Sequence, residues 1–222
     1  DRQWVKPEGD DPRTLYQMLM VSQKMFGNEP CFGFIPSPGM ARIHLTYNEF
    51  GDLSTAMAKG LRDIGVEKGD RVAIILDNSV EWAALSYGAN AIGAAYTAMY
   101  THQHGKDWAY ILEDSTPKVV AVQSTEVLDK LCGALADDAW PASGVILLGD
   151  EPANQLPPKG VEVRTWTEMV QAGRAAEDLA EIADDPTALS TLIYTSGTTG
   201  NPKGVMLSNW NTLSNVLCVQ GV

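Results

Sequence analysis

The sequence "LIYTSGTTGNPKGVML" occupies residues 192–207. β-prone residues flank it: Ser190 to Thr195 before the loop, and Gly204 to Ser208 after it. No helical period begins until after Ser208, so the loop is expected to join two strands as a long hairpin connection. A Walker A loop joins a strand to a helix and needs Gly-Lys-Ser/Thr. Here Pro202 precedes Lys203 and Gly204 follows it, and that reading fails on sequence and context alike. A Rossmann turn fails too, because Gly197 and Gly200 give only G-x-x-G with no helix behind them. The composition still suits an anion. Glycines let backbone N–H groups turn inward without an intervening Cβ. Thr195, Ser196, Thr198 and Thr199 offer hydroxyl donors, and Lys203 a compact positive charge. An ordinary Gly/Thr-rich surface hairpin is the plainer alternative. The concentration of these groups between Thr195 and Lys203 favours a phosphate cradle formed by Thr195, Ser196, Gly197, Thr198, Thr199, Gly200 and Lys203.

Upstream, helix and strand signals alternate. Thr46 and Glu49 have the spacing of a capping box. Phe50, Leu53, Met57, Leu61 and Ile64 follow at helical intervals, and Gly65 stands where a terminating glycine belongs. "RVAIIL" (71–76) reads as a buried parallel strand. Asn78 to Glu81 can open a helix with Trp82, Leu85, Ala89 and Ile92 on one face and Gly93 at its end. "AAYTAMY", "KVVAV", "GVILLG" and "VEVRTW" read as further strands. Between the first three lie a short helix over 107–115 and another over 124–137. "TEMVQAG" after the last is read as a helical turn or two, and the residues from Asn209 onward as a helix. This alternation predicts an α/β fold with a doubly wound, mostly parallel sheet and flanking helices. We divide the chain into a lead-in (1–44), an α/β sheet subdomain (45–185), and a phosphate-binding hairpin with its following helix (186–222).

Charge and composition narrow the function. With 16 Lys/Arg against 28 Asp/Glu the net charge is −12, which argues against a nucleic-acid partner. No apolar run is long enough for a transmembrane segment. Three widely spaced cysteines form neither a disulfide framework nor a zinc pattern. They read as reduced core thiols in a cytoplasmic protein, with peripheral membrane association as an alternative. The acidic run 175–185 is read as a solvated helix or linker face rather than a metal site. His102 and His104 lack a third ligand and are read as a loop pair. Trp82 and Trp108 are assigned to the core. Ser196 has no histidine nearby in sequence and is read as a binding residue, not a nucleophile.

Residues 192–204 resemble the AMP-binding signature of adenylate-forming enzymes, a superfamily of acyl-CoA synthetases, aryl-CoA ligases, luciferases and peptide-synthetase adenylation domains. "LTYNEFGDLSTAMAKGLRDIGVEKGDRVAIILDNSVEW" and "GAAYTAMY" resemble the family's early helices and strands. "ALSTLIYTSGTTGNPKGVMLS" looks most like long-chain fatty acyl-CoA synthetases. The resemblance runs from about residue 12 to the end. It implies the N-terminal part of the large domain of a ligase that activates a carboxylic acid, fatty acids foremost, with ATP as acyl-AMP and transfers the acyl group to coenzyme A. It also implies Mg²⁺, for which no ligand is assigned, and gives Lys203 the role of stabilising departing pyrophosphate. Many relatives carry His-x-Asn after the second strand. Asn209-Trp210-Asn211 keeps the last residue and lacks the histidine, so acyl preference does not carry over. The family's remaining site motifs lie downstream, in the missing C-terminal part of the same enzyme. The 222 residues alone are therefore expected to be inactive and to show apolar surface along the last helix and the strands beside it. Aryl-CoA ligase or luciferase-like chemistry, and a non-enzymatic fragment, stand as alternatives.

Overall fold

The computed structural model describes residues 12–35, 41–135, 140–149, 153–195 and 202–219, with backbone only for Phe34 and for 217–219. Helix α1 (Leu15–Phe26) is followed by an antiparallel pair, β1 (Pro30–Phe34) and β2 (Ile43–Thr46). Next come α2 (Tyr47–Asp63), β3 (Arg71–Ile75), α3 (Val80–Ala91), β4 (Ala95–Met99), α4 (Gly105–Ser115), β5 (Val119–Val122), α5 (Thr125–Ala134) and β6 (Gly144–Leu147). The chain continues through β7 (Glu162–Thr165), α6 (Trp166–Ala175), β8 (Leu189–Thr195), β9 (Lys203–Ser208) and α7 (Asn209–Val219). Seven strands form one sheet in the order β7-β6-β5-β3-β4-β8-β9, parallel except for β9.

Local chemistry sets most helix starts. Thr46 and Glu49 form the anticipated capping box, and Ser79 and Ser124 cap α3 and α5. Gly65 and Gly93 end their helices at φ +84° and +76°, a conformation that costs an L side chain strain. A second capping box, Thr165 with Glu168, launches α6, which is longer than the turn or two expected from sequence. Such caps contribute about 1 kcal/mol each. Full burial of one Leu or Ile side chain contributes roughly 1.5–3 kcal/mol, so packing, not capping, decides where the helices lie.

Both faces of the sheet are buried. Val72 and Ile74 of β3 point into a core with Met57, Leu61, Leu85, Ile92 and Met169, beneath α2, α3 and α6. Ala73 and Ile75 point into the opposite core with Trp108, Ile111, Leu112, Leu128 and Leu131, beneath α4 and α5. Period-two alternation thus serves two hydrophobic layers, as the continuous apolar run of β3 implied. Helix α3 is buried on both flanks. Leu85 and Ala89 lie in the main core, while Ala83 and Ala84 pack beneath Leu19 of α1 and Phe50 of α2. This α1 layer and β1 lie in the segment read from sequence as a lead-in, and β2 straddles its boundary at residue 44. Small residues permit the close approach. A Cβ on Gly88 would come within 3.0 Å of the Ala58 backbone nitrogen, and one on Gly173 would run into the Ala56 carbonyl oxygen.

A buried polar staple joins α3 to β8. Asn90, 2% exposed, accepts from the Ser190 hydroxyl at 2.8 Å and donates to the carbonyls of Ala94 and Ser190, each at 3.2 Å. Ala175 closes α6, and residues 176–185 of the acidic run form an irregular strap rather than a helix. Lys59 pairs with Asp178 at 2.8 Å, and Leu179 and Ile182 tuck against the main core.

Two measurements test this packing. Gly173→Ala should destabilise by about 2 kcal/mol or more in urea unfolding, although alanine is the better helix former, because α2 cannot yield to the added Cβ. Asn90→Ala should cost about 2 kcal/mol, since it strands the buried Ser190 hydroxyl and two carbonyls.

Candidate active-site cleft at the carboxyl edge of the sheet

The chain leaves β3 for β4 on one side and later returns to place β5 on the other side of β3. Helix α3 covers one face of the sheet and α4 the other. The connections that leave the carboxyl ends of β3 and β4 therefore diverge and open a crevice, the place where open α/β sheets bind ligands. A cleft of about 490 Å³ lies there. Leu76, Asp77 and Asn78 after β3 form one wall, with Ala98, Met99 and Tyr100 of β4 and its exit; Thr191 to Tyr194 of β8 form another. The β4–β8 ladder holds at Tyr96↔Thr191 and Thr97↔Leu192, below the cleft's rim.

The walls are apolar and aromatic, with a few polar groups. Trp82 stands edge-on to Tyr96, 5.9 Å between ring centroids. Trp108 is core, as read from sequence, and its indole N–H donates to the Tyr100 carbonyl at 3.1 Å. Trp82, also assigned to the core, packs against it and lines the cleft as well. Burial raises the Tyr96 hydroxyl above its ordinary pKa, so it stays neutral. Asp77 accepts from the Thr101 hydroxyl at 2.6 Å, and its own amide donates to Gln123.

The hairpin expected from the glycine-rich stretch is present. β8 and β9 pair antiparallel from Leu189↔Ser208 to Thr195↔Lys203, and no helix starts at Lys203. Cross-strand partners share a face of a sheet. Thr195 and Lys203 therefore lie side by side with Ile193 and Val205, and all four are exposed. Tyr194 and Gly204 face the other way. Of the proposed cradle, the structure pairs Thr195 with Lys203 across the hairpin, one residue beyond Tyr194, the last β8 residue that lines the cleft. Ser196, Gly197, Thr198, Thr199 and Gly200 lie outside the described residues.

Sequence reasoning missed the Asn90–Ser190 staple and the wall residues Asp77, Asn78 and Tyr100. Strand-end position was the available signal for the wall. His102 and His104 are exposed, and no group of three or more His, Cys, Asp or Glu able to hold a metal occurs among the described residues. No helix there is long and apolar enough to cross a membrane. Cys31 and Cys132 sit half-buried at the core margins. Asn209 is buried and donates to the Asp185 carbonyl at 3.0 Å; Ser208 caps α7, its hydroxyl accepting from the Asn211 backbone N–H at 3.2 Å while the Asn211 side chain accepts from the Ser208 backbone N–H at 3.0 Å. Ile193, Val205 and Met206 give the hairpin the anticipated apolar surface, Met206 being 72% exposed. In α7, Leu213 is fully buried.

Comparison with known proteins agrees with this geometry. The chain is 33% identical over 204 residues to the long-chain-fatty-acid–CoA ligase ACSBG1 of Rattus norvegicus, covering 90% of this chain and 27% of that protein. It thus spans about a quarter of the length of that relative. A Mycobacterium tuberculosis fatty acyl CoA synthetase superposes with a TM-score of 0.66 at 26% identity, over 90% of this chain and 36% of that one. The anthranilate CoA ligase AuaEII, solved with anthranoyl-AMP, superposes at 0.73 with 21% identity, over 90% of this chain and 36% of that one. The AMP-binding enzyme model matches residues 22–221. That span holds the doubly wound sheet, the cleft at its carboxyl edge and the hairpin rising from the cleft wall, and the chain belongs to the AMP-binding enzyme family.

Proposed function

We propose that this chain is the N-terminal part of an ATP-dependent fatty acid–CoA ligase. The observation that supports the reading is the β8–β9 hairpin, which pairs Thr195 with Lys203 one residue beyond the cleft-lining Tyr194. A carboxylate oxygen attacks the α-phosphorus of ATP, the bond from that phosphorus to the bridging oxygen breaks, and pyrophosphate leaves. A thiolate of coenzyme A then attacks the acyl carbon, and AMP departs. In the first step negative charge gathers on the β,γ-phosphates. Lys203 offsets it, with the hydroxyls of Thr195, Ser196, Thr198 and Thr199 and the glycine N–H groups between them. Mg²⁺ takes most of its ligands from water and substrate phosphates plus one or two carboxylates. The loop 195–203 holds no carboxylate, so no residue of this chain is given to the metal and no step runs through it.

The fatty-acid reading draws support from the 33% identity to a long-chain ligase. An aryl acid is the second reading, favoured by the aromatic side chains of Trp82, Tyr96, Tyr100 and Tyr194 around the cleft. A non-enzymatic fragment is the alternative of another class. ATP–pyrophosphate exchange by the complete protein against a panel of carboxylic acids separates these readings. Long-chain fatty acids should drive exchange best. Preference for benzoates would favour the aryl reading, and no exchange with any acid would remove the ligase reading. The 222 residues alone should give no exchange.

Lys203→Ala in the complete protein should lower kcat for adenylate formation by about 10²–10³-fold and leave the KM for the acid within a few-fold, because the charge acts mainly as pyrophosphate departs. Steady-state exchange kinetics check this.

A further inference from the structure

Tyr194 is the last strand residue before Thr195, and Gly204 stands directly opposite it across the β8–β9 ladder. The Tyr194 hydroxyl donates to the Asp114 carboxylate at 2.5 Å, although 80 residues separate the two. Asp114 belongs to the last turn of α4, which carries no basic residue. A carboxylate there faces the negative end of the helix dipole, so helix stability does not account for it. Gly204 is equally unexplained by backbone conformation, since it is absent from the positive-φ glycines. The Tyr194 ring accounts for it. A Cβ on Gly204 would meet Cζ at 3.0 Å, the hydroxyl oxygen at 3.2 Å and Cε1 at 3.3 Å. Desolvation first, and then the Asp114 carboxylate, raise the tyrosine's pKa far above the physiological range, so its hydroxyl remains the donor.

The same helix holds the opposite wall. Trp108 of α4 donates to the Tyr100 carbonyl, Tyr100 lines the cleft, and the Lys130 ammonium sits 4.4 Å above the Trp108 ring. Helix α4 thus bridges the two sides of the cleft, gripping β4's exit through Trp108 and β8 through Asp114.

We propose that Tyr194, braced by Asp114 and seated across Gly204, is a positioning residue that fixes both stems of the phosphate loop, and with them Thr195 and Lys203, relative to the cleft. The inference rests on the adenylating function proposed above. Tyr194 touches no reacting atom in this scheme. It acts by holding the loop ends in the arrangement that receives the β,γ-phosphates, a pre-payment of ordering that the nucleotide would otherwise have to supply.

The test uses the complete protein and two readouts, acid-dependent ATP–pyrophosphate exchange and calorimetric binding of inorganic pyrophosphate. Tyr194→Phe and Asp114→Ala should each raise the KM for ATP and weaken pyrophosphate binding by roughly fivefold, the scale of one lost hydrogen bond, with the KM for the carboxylic acid unchanged. Asp114→Asn keeps an oxygen that accepts from the hydroxyl, and should recover most of the loss. A general loss of packing would instead lower the melting temperature, leave these constants alone in the surviving folded protein, and show no recovery with asparagine. Unaltered ATP KM and pyrophosphate affinity in both Tyr194→Phe and Asp114→Ala would overturn the positioning role and leave the adenylating function standing. Absence of both exchange and pyrophosphate binding in the unaltered protein would overturn the two together.

Discussion

A strand buried on both faces must be covered on both, and β3 is that strand here. Val72 and Ile74 need one hydrophobic layer, Ala73 and Ile75 another. One crossover helix covers one side of a sheet, so α3 and α4 divide the task between opposite faces. The cleft is the geometric remainder of that division, since the exits of β3 and β4 turn away from each other. The site's location therefore follows from burying four small apolar side chains, before any catalytic residue enters.

Electrostatics adds a second constraint. A chain of net charge −12 repels an anionic nucleotide at long range, and at physiological ionic strength that repulsion is screened beyond about 8 Å. Recognition must then come from groups within contact distance. On the proposed function, the residues from Thr195 to Lys203 would answer this with neutral donors around a single lysine rather than a basic surface. In the function proposed above, hydroxyls and glycine N–H groups would bind phosphate oxygens without accumulating positive charge among themselves, which suits the release of AMP and pyrophosphate that the proposal requires.

Sequence and structure agree chiefly where the determining interaction is local and was read. The Thr46–Glu49 box, the glycines at 65 and 93, and the two strands around the loop all depend on residues within a few positions of one another. The Thr165–Glu168 box was equally legible and was passed over, so α6 was read too short. The layer of α1 was illegible for a different reason. "LYQMLMVSQKMF" is only partly amphipathic, and its burial depends on Phe50 and Ala84, which only the folded chain brings near. At the site, Thr195 and Lys203 could be named from composition. Asp114 could not, because nothing near it in sequence distinguishes it from any exposed helix aspartate; only the fold brings Tyr194 to it.

The Asn90–Ser190 staple has a kinetic side. It joins residues 100 apart in the chain, and the β4–β8 ladder spans nearly the same separation. The β8–β9 hairpin can close locally, within microseconds for such an element. Its attachment to the sheet must wait until α3 and β4 are in place, because only then does Asn90 offer its amide to Ser190. Long loop closure comes late and carries its entropy cost before any contact rewards it. The β8–β9 pair would then be among the last parts of the described sheet to acquire its final setting, and the half-built protein would hold a finished hairpin with nowhere yet to dock.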